Sequence, residues 1–427
     1  MKAAFYESDI TPPLGGFMWG HYREVRAQNV NERLYAKAIV LEFDGEIAAI
    51  VSVDTCIIPE EMHDIVTKRI FDYTGIPQDK ICIASDHAHN GAPVSDGFEV
   101  GCTADATYKD VFFRLVADTV ILAYNRLNDV TVKYMSVDVP GIAFCRDYEL
   151  NDGTLITHGA GKPNVKRPLA LPDNSLSALI FERDGEKIGA IINFACHLDT
   201  INKSYNEIGY CGDYPSIISN KLKANYGKNF VSLFLTGAAG DINTANPNPN
   251  EKSYYIFDIG ERLANEFITN EASATEITKN KMSVIKDKVR ISRRKFEFQE
   301  DANQIMAKEL LTRKNPMRAR NMIYYVSTNK KEYSDLYVQG LLIGDVYLSL
   351  LPGEIFTETG RKIKKLSPYK KTIVVENCNS YCGYIPTKEC FSEKSNMYEI
   401  SLCNHSCHVP EAADILTEKA LEIANKI

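Results

Sequence analysis

The stretch KICIASDHAHNG, residues Lys80 to Gly91, joins an apolar run to two histidines placed two positions apart. Its first half, Lys80 to Ala84, reads as a buried strand, and its second half is polar and ends on glycine. His87 and His89 therefore stand at a strand end. A regular strand places residues i and i+2 on the same side, so the two rings are expected to face one cavity. Whether such a pair holds a metal or closes the strand with ordinary hydrogen bonds depends on what else reaches the same place.

Working outward, strand-like and helix-like segments alternate, with no residue repeat. YAKAIVLEF and EIAAIVSVD flank Asp44-Gly45, LSALIFERDGEKIGAIINFACH carries Asp184-Gly185, and DLYVQGLLIGDVYLSLLPG carries Gly344-Asp345. Each reads as a hairpin. Helical patterns follow in PEEMHDIVTKRIFDYTG, ATYKDVFFRLVADTVILAYNRL, YPSIISNKLKANYG, YYIFDIGERLANEFI, EIFTETGRKIKKL and PEAADILTEKALEIANKI. The succession predicts a mixed α/β protein with partly antiparallel sheets.

The 427 residues carry a net charge of −7, with 44% hydrophobic and 25% charged residues. No Lys/Arg block supplies a footprint for nucleic acid or an anionic membrane. The opening MKAAFYESDITPP lacks a signal-peptide apolar region, and DVFFRLVADTVILAY is interrupted by Arg114 and Asp118. These features point to a soluble cytoplasmic protein without stable membrane insertion. Eleven cysteines, several inside apolar runs as Cys82 and Cys196 are, read as reduced small hydrophobes. Cys378, Cys382, Cys390, Cys403 and Cys407 lack zinc-ribbon spacing.

Polar residues collect at four strand ends. His87 and His89 follow one, His197 ends IINFAC, GAAGDIN follows VSLFLT, and Glu354 follows VYLSLLPG. Strand ends are where α/β sheets place their sites, and two imidazoles with a carboxylate form the ligand set of an open zinc centre. The same set also suits iron, manganese or nickel. Near the N-terminus, Trp19, His21 and Arg23 follow the DITPPLGG turn, which either lies against the site or is explained by its prolines alone. His405 and His408 line a cleft mouth or a surface loop, and Asp213 reads as a helix N-cap.

SDITPPLG (8–15), ASDHAHNG (84–91), NFACH (193–197), GDIN (240–243), LPGE (351–354) and NSYCGY (379–384) come in the order and approximate spacing of the neutral ceramidase family. The chain resembles that family along nearly its whole length. The resemblance implies a ceramidase N-terminal-domain-like fold and zinc held by His87, His197, Glu354 and Tyr384. It also implies that His89, Arg146 in FCRDY and Tyr398 in MYE act near the substrate. Read without the family, Arg146 is equally an ion-pair partner of Asp147 or Glu149. The family has a serine where this chain has Asn243, which excludes a serine nucleophile and leaves Asn243 to orient substrate. Asp241 is either a partner for a ligand histidine or a helix N-cap.

The chemistry is coherent from the residues themselves. Zinc lowers the pKa of bound water from 15.7 to about 7, which suits attack on an amide at neutral pH. Arg146, His89 and Tyr398 are donors for the oxyanion, and His89 is the candidate general acid. The family carries a C-terminal β-sandwich and is typically exported. Here one catalytic domain spanning 1–427 is expected, with a charged excursion over 279–333 and no β-sandwich. The expected function is zinc-dependent hydrolysis of a carboxamide that is small or lipid-like but more soluble than ceramide. The rivals are ester, lactone or cyclic-amide hydrolysis in the same site, and a non-catalytic metal- or ligand-binding relative.

Overall fold

The computed structural model describes residues 1–427 except 22, 97, 202–203, 249, 252, 280 and 296–315, with the side chains of 316–318 also set aside. The chain begins with β1 (Lys2–Asp9), β2 (Tyr35–Phe43) and β3 (Glu46–Val53), paired antiparallel in that order. Helix α1 (Glu60–Thr74) crosses over and β4 (Ile81–Ser85) returns parallel to β3, followed by α2 (Ala106–Tyr124). The pattern then recurs. β5 (Thr131–Asp138), β6 (Ser175–Arg183) and β7 (Glu186–Phe194) are antiparallel, α3 (Asp213–Tyr226) leads to β8 (Val231–Thr236) parallel to β7, and α4 (Ile256–Asn270) follows.

The third unit has β9 (Met282–Ser292), then α5 (Pro316–Thr328) as an insertion, then β10 (Tyr333–Ile343) and β11 (Val346–Leu350). Helix α6 (Thr357–Leu366), β12 (Lys371–Val375) parallel to β11, and α7 (Ala412–Lys426) complete it. Three sheets thus share one strand order, the first two extended at an edge by Asn128–Asp129 and Thr275–Glu276. The sequence carries no residue repeat that announces this. The repeat is in topology, and the residues filling it differ from unit to unit. The charged excursion over 279–333 is an edge strand and a helix where it is described; its centre, 296–315, lies outside the described residues.

Local sequence explains the hairpins. Asp44 and Gly45 have φ of 49° and 83°, and Asp184 and Gly185 have 51° and 80°, the two positive angles that a two-residue turn matching strand twist requires. At the third hairpin only Gly344 is left-handed, at 64°. Helix α1 stops at Gly75, whose left-handed backbone lets its N–H reach Phe71 O at 2.8 Å. Helix α2 starts at Asp105, whose side chain accepts Tyr108 N–H.

The strand period of two distributes apolar residues between two cores. Ile39 and Leu41 join Leu179, Ile191, Leu233, Leu348 and Ile373 in a core shared by all three sheets. Val40, one residue along, packs outward with Met62 and Val66 of α1 and Phe112 and Val116 of α2. Helices α3 and α4 cover the second sheet, and α6 and α7 the third, in the same way. Each fully buried aliphatic or aromatic side chain contributes roughly 1.5–3 kcal/mol. All eleven cysteines are free and buried, as their apolar settings imply.

This arrangement brings together the carboxyl ends of three parallel strand pairs. Backbone bonds stitch the ends across units: Ser85 N–H to Asn377 O at 3.1 Å, His89 N–H to Leu198 O at 3.2 Å, and Glu376 N–H to Thr236 O at 3.0 Å. No helix among the described residues is long and apolar enough to cross a membrane.

Candidate metal centre and cavity

His87 lies just past β4 with φ of 72°, so the two histidines do not share a strand face. They converge through a left-handed turn instead, which a non-glycine residue adopts at a cost of about 1–2 kcal/mol. The turn is held from several sides. Asp86 N–H reaches Val53 O and His87 N–H reaches Thr55 O, both at 3.2 Å, while Asp86 Oδ1 accepts Ala88 N–H. His197 comes from the end of β7, and Glu354 from a short parallel bridge in which it lies directly across from Tyr384.

The three imidazoles form a near-equilateral group. Ring centroids are 4.7 Å apart for His87 and His197, and 5.0 Å for His87 and His89 and for His89 and His197. His87 Nδ1 donates to Cys56 O at 2.6 Å and His197 Nδ1 to Ala239 O at 3.3 Å. Each Nε2 is thereby turned toward Glu354. These atoms lie 3.2 and 3.8 Å from the buried Glu354 Oε2, and His87 forms an ion pair with it. Glu354 Oε1 accepts the Tyr381 hydroxyl at 2.8 Å.

His87 Nε2, His197 Nε2 and Glu354 Oε2 converge on one spot, where the His87–Glu354 pair is held by a proton whose place a metal ion would take. His87, His197 and Glu354 offer ligand atoms within 4.8 Å of one another, so the donor set fits a divalent cation. Cys56, His87 and His89 meet the same spacing, but His87 Nδ1, the nitrogen 3.7 Å from Cys56 Sγ, is committed to the Cys56 carbonyl. The C-terminal cysteines are in neither group.

Burial works to lower the His87 pKa, but Cys56 and Glu354 outweigh it and hold it well above the ordinary value. His197 and His89 are pushed well below theirs, chiefly by burial and then by nearby positive groups. His89 is therefore a neutral imidazole near pH 7 rather than the ready general acid its ordinary pKa suggests. Both its ring nitrogens are buried without a hydrogen-bond partner. Gly20 packs so closely on the ring that a Cβ there would stand 2.5 Å from it, and Gly20 has φ of 89°.

Arg146 is buried and does not pair with Asp147 or Glu149. Its Nε donates to Glu399 at 3.1 Å and its Nη2 to Gly240 O at 2.6 Å, with the Tyr398 and Tyr384 rings 5.3 and 5.6 Å away. Glu149 instead binds Lys166 and Arg167. The Tyr384 and Tyr398 hydroxyls are 3.4 Å apart. Asn243 pairs with Phe144, and its Oδ1 accepts Ala245 N–H.

Asp241 does not reach a histidine, because the Ala239 carbonyl occupies His197 Nδ1; its carboxylate accepts Thr357 N–H at the start of α6. Burial pushes its pKa up to about 7. Asp213 is not the N-cap of α3 but its first residue, tied to Thr200 N–H. His405 and His408 are buried and lie outside the cavity lining.

His89, His197, Arg146, Tyr384, Tyr398 and Asn243 line one cavity of about 810 Å³, joined at its mouth by His21, Arg23 and Asp199. Trp19 is fully buried. Sequence reading missed Glu376, whose Oε2 accepts both Ile355 N–H at 2.8 Å and Ala239 N–H at 3.1 Å. It thus ties the Glu354 segment to the carbonyl behind His197. Glu376 ends its strand as Glu354 does, which was the available signal. Glu399 and Tyr381 belong to irregular segments and gave none.

This topology matches solved structures. One is the neutral ceramidase from Pseudomonas aeruginosa, with TM-score 0.75, 17% identity, and coverage of 99% of this chain and 74% of that one. This is the ceramidase fold. A second, a ceramidase complexed with C2, matches at TM-score 0.74 and 16% identity with the same coverage. No protein-family model and no curated protein matches the sequence. The three-unit ceramidase fold accounts for the shared placement of the strand ends.

Proposed function

We propose that the chain is a zinc-dependent hydrolase that cleaves the carbon–nitrogen bond of a carboxamide, an N-acyl amine more soluble than ceramide. The observation that carries this reading is the convergence of His87 Nε2, His197 Nε2 and Glu354 Oε2 behind a cavity that His197 itself lines. These three would hold the ion, with Tyr384 opposite Glu354 as the fourth ligand. Zinc in such a set acidifies water to a pKa near 7 and polarises a carbonyl. The carbonyls of Cys56 and Ala239 fix which nitrogens face the ion.

His89, neutral and without a partner, takes a proton as the nucleophile forms and returns it to the departing amine nitrogen. Arg146, fixed by Glu399 and Gly240 O, supplies positive charge to the oxygen of the tetrahedral intermediate, with the Tyr398 hydroxyl as a second donor. The amide then separates into a carboxylic acid and an amine. Asn243 orients the substrate from the cavity wall. Asp241 acts at one remove by fixing the start of α6. The ceramidase neighbours, named for an N-acyl amide, support the reaction class. Eleven free cysteines support a reducing, cytoplasmic setting.

Elemental analysis of protein purified without added metal tests the reading, with wild type beside His87→Ala and His197→Ala. About one zinc per chain, lost in both variants, is the expected result. No metal in wild type and none taken up on adding zinc would put the non-catalytic reading first. A panel of N-acyl amines, esters and lactones then separates the hydrolase activities.

A further inference from the structure

We propose that the cavity selects amides carrying a cationic group, an ammonium or guanidinium, and that Asp199 receives it. The inference rests on the hydrolase reading above and concerns which substrate that centre accepts. Asp199 lines the cavity, its side chain is exposed there, and it has no hydrogen-bond or ion-pair partner among the described residues. Four carboxylates nearer the centre or beside it have partners. Glu354 binds Tyr381 and faces His87, Glu376 binds two amides, Glu399 binds Arg146 and Thr157, and Asp213 binds Thr200.

The fixed charge facing the cavity leans the same way. Arg146 is compensated by Glu399. Arg23, Asp199 and Glu207 then remain on the lining without an ion pair among the described residues; withdrawal from bulk water and the nearby Asp213 raise the Asp199 carboxyl to about 7, and Arg146, His87 and Arg23 offset them only in part. Unpaired charge in a walled cavity is screened less than on an open surface and attracts an opposite charge strongly. Asp199 rather than Glu207 is assigned because it follows His197 by two residues, which caps their Cα separation at about 7 Å. A cation on Asp199 therefore sits within a few bonds of the amide that the centre acts on.

The test uses metal-loaded full-length protein and two isosteric amide pairs. N-acetyl-1,4-diaminobutane against N-acetylpentylamine carries the charge in the amine half, and 4-aminobutanoyl anilide against pentanoyl anilide carries it in the acyl half. The expected result is at least tenfold higher kcat/KM for the charged member of one pair in wild type. That ratio should fall to near one in Asp199→Asn and return in Asp199→Glu, with metal content confirming an intact centre in each variant. Equal rates within both pairs, or a preference that survives Asp199→Asn, would overturn the assignment. If none of the four is cleaved, the outcome bears on the hydrolase reading, which metal content and the wider substrate panel decide, and not on Asp199. Calorimetric binding of the charged probes then decides: at least tenfold weaker binding by Asp199→Asn supports the cationic pocket, and equal binding sinks it.

Discussion

Two groups of buried histidines differ in what faces their ring nitrogens. At the strand-end centre, backbone carbonyls take one nitrogen of His87 and of His197, while the opposite nitrogens converge on Glu354 Oε2 at 3.2 and 3.8 Å. In the seam between the cysteine-rich stretch and α5, the same residue types are satisfied by neighbours. His405 Nε2 accepts from Asn321 Nδ2 at 2.9 Å, and His408 Nε2 lies 2.9 Å from Ser334 Oγ. Arg294 donates to Ile400 O and Ser406 O there. Judged by composition, the seam with its cysteines looks the better metal site. Convergence reverses that choice: His87, His197 and Glu354 bring three ligand atoms within 4.8 Å of one another, whereas the seam histidines bond Asn321 and Ser334 and form no such group among the described residues.

The largest test of the contrast is metal retention. His87→Ala and His197→Ala should lose essentially all bound metal in elemental analysis, whereas His408→Ala should keep wild-type occupancy. Equal loss in all three would erase the distinction. Next is His89→Ala, expected to lower kcat/KM by about 10²–10⁴ while metal stays bound; a change confined to KM would remove His89 from proton transfer.

The seam has its own signature in pH. Burial, reinforced by Arg293 and Arg294, pushes His408 down to about 3. The unfolded chain therefore binds a proton near pH 6.5 that the folded chain refuses, so this contribution is complete above pH 6.5 and is lost as pH falls toward 3. Urea unfolding should show His408→Gln removing up to about 3 kcal/mol of the stability difference between pH 7 and pH 4. An unchanged pH slope would show that the seam is more hydrated than described. The smallest expected effect belongs to Glu376→Ala, which should weaken metal binding by about 10–100-fold, with Glu376→Gln keeping one acceptor oxygen and losing less. Competition with a chelator measures both, and wild-type affinity in the alanine variant would limit Glu376 to holding the backbone.

The hairpins at Asp44-Gly45 and Asp184-Gly185 were legible because a two-residue turn needs positive φ and those residues tolerate it. The strand-end location of His87, His197 and Glu354 was legible because polar residues interrupt apolar runs there. The threefold order of elements was not, since sheet membership depends on pairings far apart in sequence, such as β1 with β2 and β11 with β12. The strand-face argument for His87 and His89 brought the two rings together by the wrong geometry, because φ at His87 is set by contacts with Val53, Thr55 and Ala88. Arg146 shows the same limit: its partner Glu399 is 253 residues away, and no local pattern announces it.

The sequence by itself determined the strands, the tight turns and the polar residues that end the strands, because these follow from side-chain alternation and local backbone preference. Tertiary structure alone decided which nitrogen of each histidine is bare. The carbonyls that set this belong to Cys56, 31 residues from His87, and Ala239, 42 residues from His197. A ring nitrogen becomes a ligand or a spent donor according to what faces its other side, and folding puts that group there.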